Sequence, residues 1–104
     1  MRLIRLTVLL AALLLTATSC SGPGPDTFGQ ELYEQTCAVC HGENGEGTLG
    51  RPAIGADSEA VTRTDDQLRG VMLVGPGAMP SFRRLSDEQI DSLVTYVREL
   101  QGGG

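Results

Sequence analysis

Cys37-Ala-Val-Cys40-His41 constrains this chain more than any other stretch. It sets two thiols three positions apart, with the only histidine of the 104-residue chain directly after the second. Three chemistries use Cys-x-x-Cys. A thioredoxin-type redox pair needs a strand leading into the motif within a βαβ unit; here the residues before Cys37 read as a helix, and no β-alternation occurs along the chain. A zinc site needs four ligands. The motif supplies three, and the only other Cys or His is Cys20. The third chemistry, covalent haem attachment, is what Cys-x-x-Cys-His signals directly.

The spacing has a physical basis. Two thioether bonds hold the former vinyl groups along one edge of a porphyrin, and a two-residue link lets the Cys37 and Cys40 sulfurs point the same way. His41, immediately next, brings its imidazole under the ring as an axial iron ligand. The fold needs such a group. With two Phe, two Tyr, no Trp and fourteen Gly, the chain has little apolar volume and much backbone entropy to lose. Domains of this size usually require a staple, and one covalently bound haem c supplies an apolar centre that cannot dissociate.

The N-terminus reads as an export signal. Arg2 and Arg5 precede an apolar run from Leu6 to Leu15, followed by small residues up to Cys20. The run is too short for a spanning helix, which wants roughly 20 apolar residues. Ala17-Thr-Ser-Cys20 resembles the lipobox of bacterial lipoproteins, although Ala17 stands where that family more often has Leu or Val. The resemblance implies a signal peptide over 1–19 and a lipid on Cys20. Acyl chains there would hold the protein at the membrane at about 0.8 kcal/mol per buried methylene. An ordinary cleaved signal is the alternative. Cysteine arithmetic favours the lipid, because the count of three leaves Cys20 over once Cys37 and Cys40 act together.

Beyond Cys20 there are six arginines, no lysine and thirteen acids, a net charge of −7. Such a surface does not bind nucleic acid or an anionic bilayer through its own charge. Residues 20–26 form the lipid-bearing Cys and a flexible Pro/Gly linker, 27–101 the folded domain, and 102–104 a glycine tail. Within the domain the pattern predicts a helix over Thr27–Thr36, with Phe28, Leu32 and Tyr33 on one face. Gly42–Gly55 reads as loop and Ser58–Val61 as a helical turn. Thr64 and Gln67 have capping-box spacing ahead of a helix that Gly75 closes. Pro76–Phe82 cannot be helical. Ser86 and Gln89 open the last helix, on which Ile90, Leu93, Val94, Val97 and Leu100 recur at helical spacing. The expected fold class is all-α, three to five short helices and loops.

From about Gly29 to Leu100 the chain resembles a small class I cytochrome c, most of all the small membrane-anchored cytochromes c of bacteria. Gly29 and Tyr33 match the family's first helix. Cys37, Cys40, His41 and Gly42 match its haem motif, Pro52 its Gly-rich loop, Met79-Pro80 its Met-Pro segment, and Leu93, Tyr96 and Val97 its last helix. The resemblance implies the class I fold wrapped around a covalently bound haem. For the sixth iron position, no second histidine exists. Met1 leaves with the signal, Met72 reads as core filler within a helix, and Met79 lies in a Pro-flanked loop 38 residues after His41. Met79 is therefore the expected axial partner of His41. The resemblance further suggests that the Pro52 carbonyl orients His41, while Arg51 and Arg63 are candidates to meet the haem propionates. Gly29 is expected to let the first helix cross the last closely near Tyr96.

The expected function is single-electron transfer rather than catalysis, on the extracytoplasmic face of the cell membrane, or as a soluble periplasmic or secreted protein if Cys20 is not acylated. The partners implied are membrane respiratory complexes, with a quinol–cytochrome c reductase or dehydrogenase as donor and a terminal oxidase as acceptor. The lack of lysine predicts docking on a partner with basic residues. Two other readings stay open: a haem sensor or peroxidase-like enzyme in which Met79 does not hold the iron, and a haem relay fixed permanently to a dehydrogenase. A haem-free structural or thiol-redox module is the third.

Overall fold

The computed structural model describes residues 22–103. The expected signal peptide over 1–19 and Cys20 lie outside the described residues. Among the described residues four α-helices follow one another: α1 (Gly29–Thr36), α2 (Ala38–His41), α3 (Asp65–Val74) and α4 (Asp87–Leu100), with a 3-10 turn at Glu59–Thr62 before α3. Among the described residues the only β-pairing is one isolated bridge between Thr48 and Arg51.

Local chemistry sets the ends of the two longer helices. The Gln67 N–H donates to Thr64 Oγ1 (3.1 Å) and the Thr64 N–H to Gln67 Oε1 (2.9 Å), a closed capping box at α3. Ser86 and Gln89 repeat it at α4, at 3.1 and 3.0 Å. Acids in both first turns complement the helix dipole. α3 stops at Gly75 in the left-handed region, φ +63°. α4 stops at a Schellman motif: Gly102 has φ +82°, its N–H donates to the Glu99 carbonyl, and the Gly103 N–H donates to the Arg98 carbonyl, each at 2.9 Å. Gly102 and Gly103, expected as a plain tail, are thus part of the helix cap.

α4 is the axis of the fold and packs against both α1 and α3. Leu32 and Tyr33 from α1 and Ile90, Leu93 and Val97 from α4 are wholly buried, with Leu68 and Met72 of α3 closing the other side. Each such side chain contributes about 1.5–3 kcal/mol of burial. The Tyr33 and Tyr96 rings meet at 5.1 Å with a 55° tilt, a favourable edge-inclined pairing. The Arg69–Asp91 and Arg98–Asp65 pairs bridge α3 to α4; both acids are well exposed, so each is worth only about 0–1 kcal/mol.

Three further features differ from the sequence expectation. α1 begins at Gly29 rather than Thr27, because Phe28 is extended (φ −135°, ψ 166°); Phe28 therefore leaves the apolar face and is 41 % exposed. Gly29 does not serve a tight crossing. A Cβ there meets nothing within 4 Å, and glycine is required instead by φ +57°, in a turn whose N–H donates to Ser92 Oγ at 3.0 Å. Finally, order extends into the expected linker. Buried Gln89 donates from Nε2 to the Gly24 and Thr27 carbonyls, both at 3.1 Å.

Candidate functional site

The motif residues share one turn of chain. Cys37 ends α1, its N–H donating to the Tyr33 carbonyl at 2.8 Å, and opens α2; the Cys40 and His41 N–H groups both return to the Cys37 carbonyl, at 3.1 and 2.9 Å. A three-residue separation on a helical turn puts Cys37 and Cys40 on the same side, and both line one cavity. Cys37 is buried and Cys40 half-buried. Burial pushes the Cys37 thiol up, partly offset by its hydrogen bond with the Thr36 hydroxyl.

α2 ends at Gly42, where φ is +85° and the chain swings into a glycine-rich loop. The carbonyls released by the helix end find partners across that loop. The Gly47 N–H donates to the His41 carbonyl (2.7 Å), and Thr48 Oγ1 to the Cys40 carbonyl (2.8 Å). The buried Tyr33 hydroxyl donates to the Gly42 carbonyl at 2.7 Å. Burial, reinforced by Cys37 nearby, holds the Tyr33 phenol neutral far into the alkaline range.

The loop then returns so that the Pro52 carbonyl lies 2.7 Å from His41 Nδ1. A carbonyl only accepts, so Nδ1 carries a proton, and in the neutral imidazole the lone pair then lies on Nε2. The Pro52 neighbourhood is itself held. The Arg51 N–H donates to the Thr48 carbonyl (2.9 Å), and the Ile54 and Gly55 N–H groups converge on the Gly45 carbonyl at 2.8 and 2.9 Å. Gly45 allows this approach: a Cβ there would sit 2.7 Å from the Gly55 nitrogen.

Met79 also lines the cavity. It closes a turn, its N–H donating to the Pro76 carbonyl at 3.1 Å, and the chain after it is stitched to the last turn of α3. The Phe82 N–H donates to the Met72 carbonyl (2.9 Å). Ser81 Oγ and Arg83 Nε both donate to the Leu73 carbonyl, at 2.6 and 3.0 Å. Gly75 makes room for this return, since a Cβ there would lie 2.5 Å from the Ser81 nitrogen. Met72, expected as core filler, is buried in the cluster beneath.

The cavity measures about 640 Å³ and takes its walls from Ile54, Leu68, Val71, Met72, Phe82 and Val97 as well as the motif. Its size falls within the roughly 300–1,000 Å³ typical of cofactor sites. Its charged lining residues are Arg51, Arg63 and Glu59. Among the described residues no three His, Cys, Asp or Glu side chains gather closely enough for a bare metal ion. An apolar cleft walled by two cysteine sulfurs, an imidazole and the thioethers of Met72 and Met79 suits a flat apolar macrocycle that brings its own metal.

Several contributors carry no local sequence signal. Tyr33 was legible as a core aromatic but not as the donor to Gly42. Gln101 and Arg98 belong to bonds across 33 to 47 residues that no spacing announces. The four-residue α2 is too short for periodicity to register, although the i, i+3 cysteine pair is consistent with a helical turn.

Helices wrapped around an apolar cleft, with Cys-x-x-Cys-His on one wall and a methionine loop on the lining, are the architecture of a c-type cytochrome. Residues 25–97 match the family described as cytochrome C oxidase, cbb3-type, subunit III. A cbb3-type cytochrome c oxidase subunit CcoP of Azospirillum brasilense is 35% identical over 72% of this chain, but the chain spans only 28% of that subunit. Cytochrome c-555 of Methylococcus capsulatus is 34% identical, covering 93% of this chain and 84% of the relative. Cytochrome c6 of Leptolyngbya boryana is 36% identical, covering 66% of this chain and 85% of the relative. The chain belongs to this family and is a small class I cytochrome c. Members of the family bind haem c covalently and act as electron-transfer proteins rather than enzymes.

Proposed function

We propose that this chain is a single-electron carrier that holds one haem c through thioether bonds from Cys37 and Cys40, with His41 and Met79 as the axial ligands. The observation that carries the reading is the convergence of all four side chains on one apolar cavity, with the His41 tautomer already set by Pro52. Bound there, the haem iron supplies a one-electron change between its ferric and ferrous states. The protein's part is to keep that change local. Pro52 fixes the imidazole plane and raises its basicity. Met79 offers a soft thioether, which favours the ferrous state and raises the potential. The apolar walls exclude water, and Arg51 and Arg63 stand on the lining where carboxylates of a bound haem would be neutralised. With His41 and Met79 both held to the iron, no position would remain for a substrate, which would suit electron transfer and not substrate chemistry.

The family match supports a respiratory setting, since several relatives are named as subunits of cbb3-type oxidases. In our reading the chain carries electrons from a quinol–cytochrome c reductase or dehydrogenase to a terminal oxidase. It does so on the extracytoplasmic face of the membrane, after cleavage of residues 1–19 and acylation of Cys20. No described helix is long and apolar enough to cross a membrane, so attachment in this reading rests on that lipid. The same relatives favour a second reading, in which the domain is a fixed relay within an oxidase; co-purification after mild detergent extraction separates subunit from mobile carrier.

The central test is Met79→Ala in the matured protein. It should abolish the weak long-wavelength iron–thioether absorption of the ferric form and lower the midpoint potential by more than about 0.1 V, within the range that axial ligation controls. An unchanged spectrum would remove Met79 from the iron, and a colourless wild-type protein would end the haem reading. Mass spectrometry of the mature N-terminus reads cleavage, acylation and haem addition together.

A further inference from the structure

Arg98 and Gln101, in the last turn and cap of α4, lie far along the chain from the haem motif, yet their hydrogen bonds lead back to it. Arg98 donates from Nη1 to Gln101 Oε1 at 2.7 Å, from Nε to Asp65 Oδ1 at 2.9 Å, and from Nη2 to the Arg63 carbonyl. A guanidinium can only donate, so the Gln101 amide oxygen must face Arg98 and its NH₂ must face the other way. That NH₂ donates to the Ile54 carbonyl at 2.9 Å, across 47 residues of sequence. Ile54 is two residues past Pro52, whose carbonyl receives the His41 Nδ1–H. Pro52 has no N–H of its own to anchor it. Its carbonyl is aimed by what holds the chain on either side: the Thr48–Arg51 bridge before it, and Ile54 after it. The Schellman cap at Gly102 and Gly103 fixes the backbone from which Gln101 reaches.

We propose that Gln101, oriented by Arg98, is a positioning residue for the iron's histidine ligand. Its amide holds the Ile54 carbonyl, and so sets the Pro52 carbonyl against His41 Nδ1–H. This inference rests on the haem reading above. A well-aimed Nδ1–H bond gives the imidazole more anionic character, which stabilises ferric iron and lowers the potential. The end of the last helix thereby tunes the redox centre without touching it.

Two neutral variants test this in the haem-loaded, full-length protein: Gln101→Ala, and Gln101→Met, which keeps the side-chain length. Both should raise the ferrous-to-ferric ratio at a fixed ambient potential by about threefold, equivalent to ~28 mV for a one-electron couple. Both should also speed solvent exchange of the paramagnetically shifted His41 Nδ1–H resonance. Ser86→Ala, which removes the cap at the opposite end of α4, is the control; it should lower the melting temperature and move neither readout. Gln101 variants that lose stability as Ser86→Ala does, with potential and exchange unchanged, would reduce Gln101 to a structural contact and overturn the proposal. A wild-type protein that matures without covalent haem would overturn this proposal together with the reading beneath it, and its lack of colour marks that outcome apart.

Discussion

Replacing Gly75 with alanine tests how the methionine loop is held over the cavity. The residue sits at φ +63°, where a side chain costs about 1–2 kcal/mol. A Cβ would stand 2.5 Å from the Ser81 nitrogen, 2.6 Å from the Pro80 carbonyl carbon and 2.7 Å from the Met79 carbonyl oxygen. All three are backbone atoms, so no flexible side chain can yield. Residues 79–81 must retreat by roughly an ångström to reach ordinary van der Waals distance. That movement strains or breaks the Ser81 Oγ bond to the Leu73 carbonyl, worth about 1 kcal/mol. The total is about 2–3 kcal/mol, or a fall of roughly 10–20 °C in melting temperature for a domain of this size. The same movement should weaken the iron–thioether absorption of the ferric protein. Gly75→Asn separates the two causes. Asparagine tolerates the left-handed backbone but still carries a Cβ, so it should recover about 1 kcal/mol of stability and leave the absorption weak. A Gly75→Ala protein with undiminished iron–thioether absorption and a melting temperature within about 2 °C of wild type would refute both the geometry and the role assigned to this loop.

Two further perturbations follow from buried polar groups. Tyr33→Phe removes the donor to the Gly42 carbonyl and should cost about 1 kcal/mol near neutral pH. Because the native phenol is held above its ordinary value of about 10, the unfolded chain loses that proton first. Wild-type stability from this group is therefore complete below pH ~10 and declines as pH rises beyond it. The variant should show a shallower alkaline decline in urea unfolding measured between pH 8 and about 11; an identical decline would mean that Tyr33 is not the group responsible. Gln89→Ala deletes the side-chain bonds to the Gly24 and Thr27 carbonyls and the capping-box bond from the Ser86 N–H, and should cost about 3 kcal/mol. It should also make residues 22–28 the first site of limited proteolysis, and an unchanged cleavage pattern would show that this segment is held by something else.

How much was legible in advance depends on the range of the interaction. Both long helices could be read to within a residue, because capping boxes, first-turn acids and the Gly75 stop act over one turn of chain. The cofactor could be read from five consecutive residues, since the geometry of attachment is itself local. Phe28 and Gly29 were misplaced for the opposite reason: the start of α1 is decided by Gln89 and Ser92, more than sixty residues away, and no pattern within Thr27–Thr36 records that competition. Gly102 and Gly103 looked like a tail because a glycine run reads the same whether it is free or caps a helix.

The chain's own order of residues thus determined its two long helices, its Cys-x-x-Cys-His motif and the single cavity wall that Cys37, Cys40 and His41 share. The resemblance pointed to the Pro52 carbonyl, but only the folded arrangement brought it to the His41 proton and decided what aims it and how close the Met79 loop can lie to the end of α3. Those contacts join positions from eight to 47 residues apart. They exist only once α4 has drawn α1, α3 and both loops around one apolar centre, and they depend on distances of a few tenths of an ångström that no spacing along the chain encodes.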